Sequence, residues 1–387
     1  MSVYLDHAAT SPLRPEARAA LLEVLEAPLG NPTGAHRASR HARKLVDEAR
    51  DQMAAALGCA PGEVIFTSGG TESDNLAVAG VRDATGGALV CSAIEHHAVL
   101  DPVLAAGGRT VSVDPLGRVD LEDLVAVLSP GDGPPVRFVS VMAANNEIGT
   151  IQDLDAVAAV ISEHAPEAVL HTDAVQSFCW LDLATHAAAA DLISVSAHKF
   201  GGPQGVGALV ARNGVPLTPQ LRGGGQERDR RSGTHNVAGI VAMAAAASAT
   251  VAERDATIES VRALRDRLAD GLRARVEGLV ETAVPIDSHG RPDRSGTLAG
   301  CCHVCIEGIE SEALLFLLDT EGVAASAASS CASGALDPSH VLAAIGIPRD
   351  LARGSLRLTL GHATTTAEVD QAIDAVARSV ERLRGRR

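Results

Sequence analysis

Short apolar runs alternate with amphipathic stretches of helical length between about residues 60 and 210. Uninterrupted apolar runs bounded by turn residues are typical of strands that are buried on both faces of a sheet. The runs that we predict as strands are 64–67, 88–92, 110–113, 136–142, 168–172, 191–197 and 206–211. This alternation predicts an α/β fold with a mostly parallel sheet covered by helices on both sides.

A helix is predicted before this region, over residues 39–58, and the pattern changes after about residue 255. The later elements are a charged helix (roughly 253–278), a strand region (297–306), a helix (310–320), a small-residue loop (about 324–337), a strand (355–361) and a terminal helix from about 365. We therefore predict a large domain over 15–255. A smaller α+β domain is expected from 1–14 plus 256–387, and it carries the small-residue loop.

The composition excludes several classes of protein. The net charge is −15, so a broad nucleic-acid-binding face is not expected, because such a surface repels phosphate backbones. The alanine-rich stretch at 241–250 is too short to span a bilayer, and the N-terminus lacks the features of a signal peptide. We expect a cytoplasmic protein whose seven cysteines are free thiols.

The chain contains two lysines, Lys44 and Lys199, so an amine nucleophile has two candidates. Lys44 lies opposite the apolar stripe of its predicted helix and is interpreted as a solvated surface residue. Lys199 directly follows the buried strand 191–197 and precedes a glycine-rich turn. Ligands in open α/β sheets gather at the carboxyl ends of strands, where partial desolvation lowers the pKa of an amine and makes it nucleophilic.

Polar residues follow other predicted strands at the same edge. Gly70 and Thr71 open a helix after strand 64–67 and are suited to binding an anion, although routine helix capping explains them equally well. Ser196 and His198 flank Lys199 and add possible phosphate donors.

Two further strand ends carry groups suited to an aromatic cofactor. Asp173 suits a pyridinium nitrogen, with Gln176 three residues on, but it could also be a helix cap. His96 could face a cofactor ring or could be solvated.

Seven motifs taken together resemble the cysteine desulfurases, which are pyridoxal-phosphate (PLP) enzymes of the class V aminotransferase-like group. The motifs are SGGTESDN, EHHAVLD, ANNEIGT, HTDAVQS, SAHKFGGPQG, GGGQERDRRSGT and SCASGALDPSHVL. The resemblance runs from YLDHAAT near the start to SLRLTLG near the end, so it covers nearly the whole chain. It implies the PLP-dependent transferase fold of type I and a homodimer.

The resemblance also implies roles for individual residues. Lys199 holds PLP as a Schiff base, and His96 stacks on the ring and moves protons. The implied cofactor-binding residues are Gly70, Thr71, Asn146, Asp173, Gln176, Ser196, His198 and, from the other subunit, Thr234. The implied substrate-binding residues are Arg357, which clamps a carboxylate, and Asn31, which assists it.

Cys331 matches the family's active-site cysteine. It lies in a run of Ala, Ser and Gly, which has little to bury and is expected to be mobile. The sequence departs from the family pattern at Ala328, where a glycine is usual three residues before the cysteine. The other cluster of cysteines, Cys301, Cys302 and Cys305 with His303, lacks the paired spacing of zinc sites, so we predict no metal.

The implied reaction removes sulfur from L-cysteine, giving L-alanine and a persulfide on Cys331. Two alternatives stay open from the sequence: a selenocysteine lyase, and a PLP-fold platform for sulfur transfer with little turnover of its own. The sulfur-acceptor protein could be an iron–sulfur scaffold, a tRNA-thiolating enzyme or a DNA-modifying system.

Overall fold

The computed structural model describes residues 3–129, 133–328 and 339–385 of the chain. Its strands are β1 (Val3–Tyr4), β2 (Val64–Thr67), β3 (Ala88–Ser92), β4 (Arg109–Val111), β5 (Val136–Ser140), β6 (Val169–Asp173), β7 (Leu192–Ser196), β8 (Gly207–Ala211), β9 (Leu279–Glu281), β10 (Cys301–Ile306), β11 (Val323–Ala324) and β12 (Ser355–Thr359).

The helices cover both faces of the main sheet and the outside of the smaller one. They are α1 (Pro15–Glu26), α2 (Arg37–Leu57), α3 (Gly70–Thr85), α4 (His97–Ala105), α5 (Leu121–Leu128), α6 (Leu154–His164), α7 (Leu183–His186), α8 (Val237–Arg275), α9 (Ser311–Thr320), α10 (His340–Ala344), α11 (Arg349–Ala352) and α12 (Thr366–Arg384).

The main sheet has seven strands in the order β2-β8-β7-β6-β5-β3-β4. All its pairs are parallel except those of β8, which runs antiparallel to both β2 and β7. Strands β6, β7 and β8 are buried along their whole length, which explains why their sequences are continuous apolar runs rather than alternating ones. The predicted mostly parallel α/β fold is confirmed.

A second, antiparallel sheet has the order β12-β10-β9, and β1 pairs with β11 beside it. The N-terminal segment joins this part of the molecule through β1 and through a bridge between Asp6 and Thr359. The segment then runs to the main sheet, where its next carbonyls accept hydrogen bonds from Lys199. The first residues of the chain thus connect the two sheets.

Helix α8 packs against both parts of the molecule. Ile240 and Met243 lie in the core around the main sheet, and Val261 and Leu268 lie in the core of the smaller sheet. The predicted helix began at about 253, whereas α8 begins at Val237. The predicted boundary between 255 and 256 falls inside this continuous helix, and the division into two domains stays a prediction.

Among the described residues, α8 alone is long and apolar enough in one stretch to satisfy a length-and-composition criterion for crossing a membrane. Of that stretch, 56% is buried inside the protein. A buried helix in the core of a globular protein meets the same criterion of length and composition.

Candidate active site

A cavity of about 310 Å³ opens at the carboxyl ends of β5, β6 and β7. This is the edge where parallel α/β sheets bind ligands. The cavity is lined by Ala8, Ala9, Gly70, Thr71, Asp74, His96, Met142, Asn146, Asp173, Val175, Gln176, Ser196, His198, Lys199, Ala328 and Arg357. Ten of the residues that the sequence singled out therefore lie around one space.

Lys199 ends a single 3₁₀ turn (Ala197–Lys199) that directly follows β7. Its Nζ donates to the backbone carbonyl of Ala8 at 2.5 Å and to that of Ala9 at 3.0 Å. The amine is therefore held at the cavity by the N-terminal segment, which sequence reasoning did not foresee. Lys44, by contrast, is 70% exposed and pairs with Glu48, as predicted for a surface lysine.

The first turn of α3 forms a cradle suited to an anion. The residue before the helix is Gly69, which has no side chain to cap the first N–H groups of the helix, and Gly70 and Thr71 of the first turn line the cavity. A Cβ atom on Gly70 would stand 2.8 Å from Val175 Cγ2, so the close approach requires glycine. The Thr71 hydroxyl and Ser196, which is 2% exposed, line the same space.

His198 completes this side of the cavity. Its Nδ1 lies 3.2 Å from Thr10 Oγ1. Burial, and then the neighbouring Lys199, lower the pKa of His198 to about 4. The imidazole is therefore neutral near pH 7 and can take part in a hydrogen bond without adding a charge.

Asp173 ends β6 and is 5% exposed. The amide of Val175 donates to Asp173 Oδ1 at 2.8 Å. Burial raises the pKa of this carboxyl, whereas His96, the Val175 amide and Lys199 oppose that rise. Three residues on, Gln176 Nε2 donates to the Ala8 carbonyl at 2.7 Å, which fixes the amide against the N-terminal segment.

His96 precedes α4 and caps it, because His96 Nδ1 accepts from the Ala98 amide at 3.1 Å. Burial lowers the pKa of His96, and Asp173 partly opposes this shift. With Nδ1 committed as an acceptor, the proton of the neutral ring lies on Nε2. The ring is therefore held in one tautomer at the cavity wall.

Arg357 lies on β12 and is only 4% exposed. Its guanidinium donates to the Asn146 carbonyl at 2.8 Å and to Asp6 Oδ1 at 2.9 Å. Its Nε has no hydrogen-bond partner among the described residues. A preorganised guanidinium at the cavity is suited to binding a carboxylate.

Two residues of the predicted site, Thr234 and Asn31, do not line this cavity. Thr234 is exposed on the surface of this chain. Asn31 is also exposed, and its side chain accepts from the amide and hydroxyl of Thr33. Cys331 lies outside the described residues. Ala328, three residues before it, lines the cavity with a left-handed backbone (φ 68°).

The structure adds residues to the site that the sequence did not reveal. Asp74 lies on α3, lines the cavity and is 1% exposed. Met142 and the carbonyls of Ala8 and Ala9 also contribute. An acid in the second turn of a helix is usually solvated, so only its position within the SGGTESDN motif could have indicated Asp74.

The other cysteines are poorly suited to chemistry. Burial raises the pKa of Cys301 to about 11 and that of Cys305 to about 12. His303 between them is a satisfied core residue, with its Nδ1 2.6 Å from Thr282 Oγ1 and its Nε2 2.9 Å from Ser355 Oγ. Across residues 3–129, 133–328 and 339–385, no group of three or more Cys, His, Asp or Glu side chains is arranged to hold a metal.

The donor set matches the chemical groups of PLP. A cradle with glycine, threonine and serine suits the phosphate, the buried Asp173 suits the pyridine nitrogen, Gln176 suits the phenolic oxygen, and Lys199 suits the aldehyde. Glycine at position 70 leaves room for the side chain of Val175 at this wall of the cavity.

Comparisons with known proteins agree with this site. The family model for aminotransferase class-V matches residues 3–372. The chain is 40% identical over 390 residues to the cysteine desulfurase IscS of Dictyoglomus turgidum, covering 99% of this chain and 95% of the relative. It is 43% identical over 393 residues to an IscS-like cysteine desulfurase of Mycobacterium tuberculosis, covering 98% and 97%.

A solved structure, described as a NifS-like protein, matches with a TM-score of 0.89 and 32% identity, covering 98% of this chain and 100% of that one. The chain belongs to the aminotransferase class-V family. The resemblance to cysteine desulfurases and the PLP cofactor predicted from the sequence are confirmed.

Proposed function

We propose that this PLP-dependent cysteine desulfurase transfers the sulfur of L-cysteine to Cys331 as a persulfide and then to an acceptor protein. The relatives of the chain are cysteine desulfurases, so the reaction class is that of the family. The observation that carries the assignment of residues is the convergence of ten predicted residues, including Lys199, on one cavity. The release of sulfur from cysteine yields L-alanine.

The cofactor contributes one capability, which is to withdraw electrons from the substrate carbon next to the amine. The chain supplies the rest. Gly70, Thr71, Ser196 and His198 hold the phosphate, and Asp173 binds the ring nitrogen. In this proposal Arg357 receives the substrate carboxylate, since its guanidinium is already fixed by Asp6 and Asn146.

Two groups of the chain move protons. Lys199, which would hold the aldehyde of the cofactor, would also be the base placed to take the substrate's α-proton. His96 carries its proton on Nε2 and is neutral near pH 7, since burial lowers its pKa. We assign to it the delivery of a proton to the departing alanine or the removal of one from the substrate thiol.

The sulfur step involves Cys331. Its thiolate attacks the sulfur of the bound substrate, the carbon–sulfur bond breaks, and the electron pair of that bond stays with the alanine fragment, which is then protonated. The product on the chain is a Cys331 persulfide, so one cysteine and one thiol give one alanine and one persulfide. The other cysteines in this chain are less suited, because burial raises the pKa of Cys59, Cys91, Cys179, Cys301, Cys302 and Cys305.

The test is production of alanine and of protein-bound persulfide from L-cysteine by wild type, Cys331→Ala and the matched control Cys59→Ala. We expect the Cys331 variant to lose both products by at least about 100-fold, as expected for removal of a nucleophile. The control should retain them, because Cys59 lies at the end of α2, outside the cavity lining. Undiminished production by Cys331→Ala would refute the assignment.

We also propose a homodimer in which Thr234 of one subunit reaches the phosphate held by the other. Thr234 is exposed and outside the cavity of its own chain, as a residue with a role in a second subunit would be. Light scattering should give twice the mass of one chain. Mixing Thr234→Ala with Lys199→Ala subunits should then restore one site with both residues intact, and a failure to restore any PLP-bound, active site would contradict the shared arrangement.

The acceptor is proposed to be a cytoplasmic protein, either an iron–sulfur scaffold or a thiolation enzyme. It should be recoverable as a mixed disulfide with Cys331 after brief oxidation in cell extract, and a Cys331→Ala sample provides the background. Recovery of the same proteins from both samples would contradict the transfer of sulfur from Cys331 to them.

A further inference from the structure

Three carboxyl groups are buried at or behind the wall of the cavity, although sequence reasoning singled out only Asp173: Asp74 and Asp173 line the cavity, and Glu95 does not. The other two are Asp74, on α3, and Glu95, in the turn between β3 and α4. Asp74, Glu95 and Asp173 are 1%, 0% and 5% exposed. They lie close enough that Asp173 contributes to raising the pKa of both of the others, after burial. Three carboxylates cannot share one buried volume without compensating cations.

The groups that favour a negative charge lie on the side of Asp173. His96 and Lys199 face it across the cavity, and the Val175 amide donates to its Oδ1. These groups favour the ionised form of Asp173 and offset part of the cost of burial.

Asp74 has weaker support: burial and then Asp173 raise its pKa, and a hydrogen bond with the neutral hydroxyl of Ser194 opposes this only in part. The nearest basic group is His171, whose Nε2 is 3.6 Å from Asp74 Oδ1, and burial lowers the pKa of His171 to about 3. The imidazole is therefore neutral. Its two nitrogens lie within 3.0 Å of the hydroxyls of Ser140 and Ser194, which explains why it is buried without a charge. Asp74 Oδ1 itself has no hydrogen-bond partner in the described part of the chain.

Glu95 is in a similar position. Its Oε1 accepts from the Met142 amide at 2.6 Å, while its Oε2 is buried without a partner among the described residues. His340 approaches only the backbone carbonyl of Glu95, at 2.9 Å. One amide donor does not offset the transfer of a full charge to the interior, which is why such groups take up a proton instead.

We propose that Asp74 and Glu95 are held as neutral carboxylic acids, so that Asp173 alone supplies the negative charge of the cavity wall. Both then act as positioning residues that set the charge felt by the ring nitrogen of the cofactor. This inference rests on the proposed pairing of Asp173 with that nitrogen. A second carboxylate at the same place would bind the ring proton more tightly and would raise the desolvation cost of the site.

The protonation states can be measured directly by infrared spectroscopy. At pH 7.5, solvent-exposed carboxyls are ionised, so the carbonyl band of protonated carboxyl groups reports buried acids. We would compare this band in apoprotein and in PLP-loaded protein for wild type, Asp74→Asn, Glu95→Gln and Asp173→Asn. Asp101→Asn serves as the surface control, since Asp101 is 67% exposed.

We expect a protonated-carboxyl band in the wild type that loses intensity in Asp74→Asn and also in Glu95→Gln, because each variant removes one protonated acid. The band should keep its intensity in Asp101→Asn. It should persist in Asp173→Asn, because burial is the largest cause that raises the pKa of Asp74 and of Glu95. If the band is unchanged in Asp74→Asn or in Glu95→Gln, the inference is wrong for that residue, and if it is unchanged in both, the inference is wrong altogether. Gel filtration and thermal unfolding show whether each variant is folded. If only one of Asp74→Asn and Glu95→Gln is folded, that variant still tests its own residue.

The affinity for PLP provides a second readout. Asp173→Asn should weaken PLP binding by about 10- to 100-fold, as expected for loss of a charge-assisted hydrogen bond. Asp74→Asn, which replaces a neutral acid with a neutral amide of the same shape, should weaken it far less than Asp74→Ala does. Equal losses in Asp74→Asn and Asp173→Asn would mean that Asp74 carries charge. The infrared band of the apoprotein does not depend on turnover, so a failure of the desulfurase assignment would leave this result interpretable.

Discussion

Ala328 has a backbone conformation that is unfavourable for a residue with a Cβ atom. Its φ of 68° lies in the left-handed region, which costs an L-residue with a Cβ roughly 1–2 kcal/mol. Its amide donates to Ser326 Oγ at 3.0 Å, and the residue lines the cavity. The cysteine desulfurases that the sequence resembles usually have glycine at this position. Glycine adopts this conformation without that cost.

A pair of variants separates strain from the general effect of glycine. Ala327 has no positive φ, so Ala327→Gly mainly adds conformational freedom to the unfolded chain. We expect Ala328→Gly to be more stable than Ala327→Gly by about 1 kcal/mol. Denaturant unfolding of the two variants measures the difference. Equal stabilities, or a less stable Ala328→Gly, would contradict the presence of strain at this residue.

At the scale of elements, a short segment after β8 depends on one buried ion pair. Glu227, Arg228 and Asp229 all have positive φ values, of 48°, 59° and 63°. Glu227 is 5% exposed and accepts hydrogen bonds from Arg50 Nη2 at 2.6 Å and from the Phe66 amide at 2.9 Å. Its interaction with His235 Nε2, at 2.7 Å, connects the segment to the residues that follow Thr234.

This ion pair predicts a dependence of stability on pH. Burial alone would raise the pKa of Glu227, but hydrogen bonds from His235 and Arg50 outweigh it and lower the pKa from 4.5 to about 2. A lowered pKa stabilises the folded state above about pH 4.5, and this contribution is lost as the pH falls towards 2. Its full size is about 3 kcal/mol.

We therefore expect Glu227→Gln to lower the free energy of unfolding by about 3 kcal/mol at pH 7. The difference from wild type should shrink as the pH is lowered from 4.5 to 3. Denaturant unfolding at several pH values measures both quantities. A difference that stays constant over this range would show that the charge of Glu227 is not responsible.

The sequence predicted those elements whose burial leaves a local pattern. Strand β7 is a continuous apolar run because both its faces are covered, and its bounds differ from the prediction by one residue at each end. The reversed direction of β8 could not be predicted, because it depends on which strands lie beside it. The first half of α8 was missed because an alanine-rich run, such as 244–247, shows no helical periodicity.

In the candidate site, too, the sequence predicted residues with a local pattern and missed those whose surroundings depend on neighbouring elements. Lys199 and Asp173 could be found because they lie at the carboxyl ends of buried strands whose apolar runs are visible in the sequence. The burial of Asp74 could not be predicted, because an acidic residue on a helix faces solvent unless a neighbouring sheet covers it. Asn31 and Thr234 were assigned by resemblance alone, and they lie on the surface of this chain; their roles stay predictions.

At the scale of the whole molecule, α8 joins two hydrophobic cores. Because Leu268 is fully buried in the second core and the helix continues without a break into the first, we expect the cores to unfold together. Leu268→Ala should lower stability by about 2–5 kcal/mol and shift one common transition. Calorimetry shows how many transitions occur. The fluorescence of Trp180, which packs against the second core, shows when that core unfolds. Two separate transitions, with only the second displaced, would contradict the coupling.

The central claim is that Lys199, rather than Lys44, binds the cofactor covalently. The chain has only these two lysines, which makes the measurement direct: PLP-loaded protein is reduced with borohydride, digested, and mapped by mass spectrometry. We predict that the cofactor mass is found on the peptide containing Lys199, persists in Lys44→Ala and is lost in Lys199→Ala. Cofactor fixed on Lys44, or covalent labelling that survives in Lys199→Ala, would contradict the account.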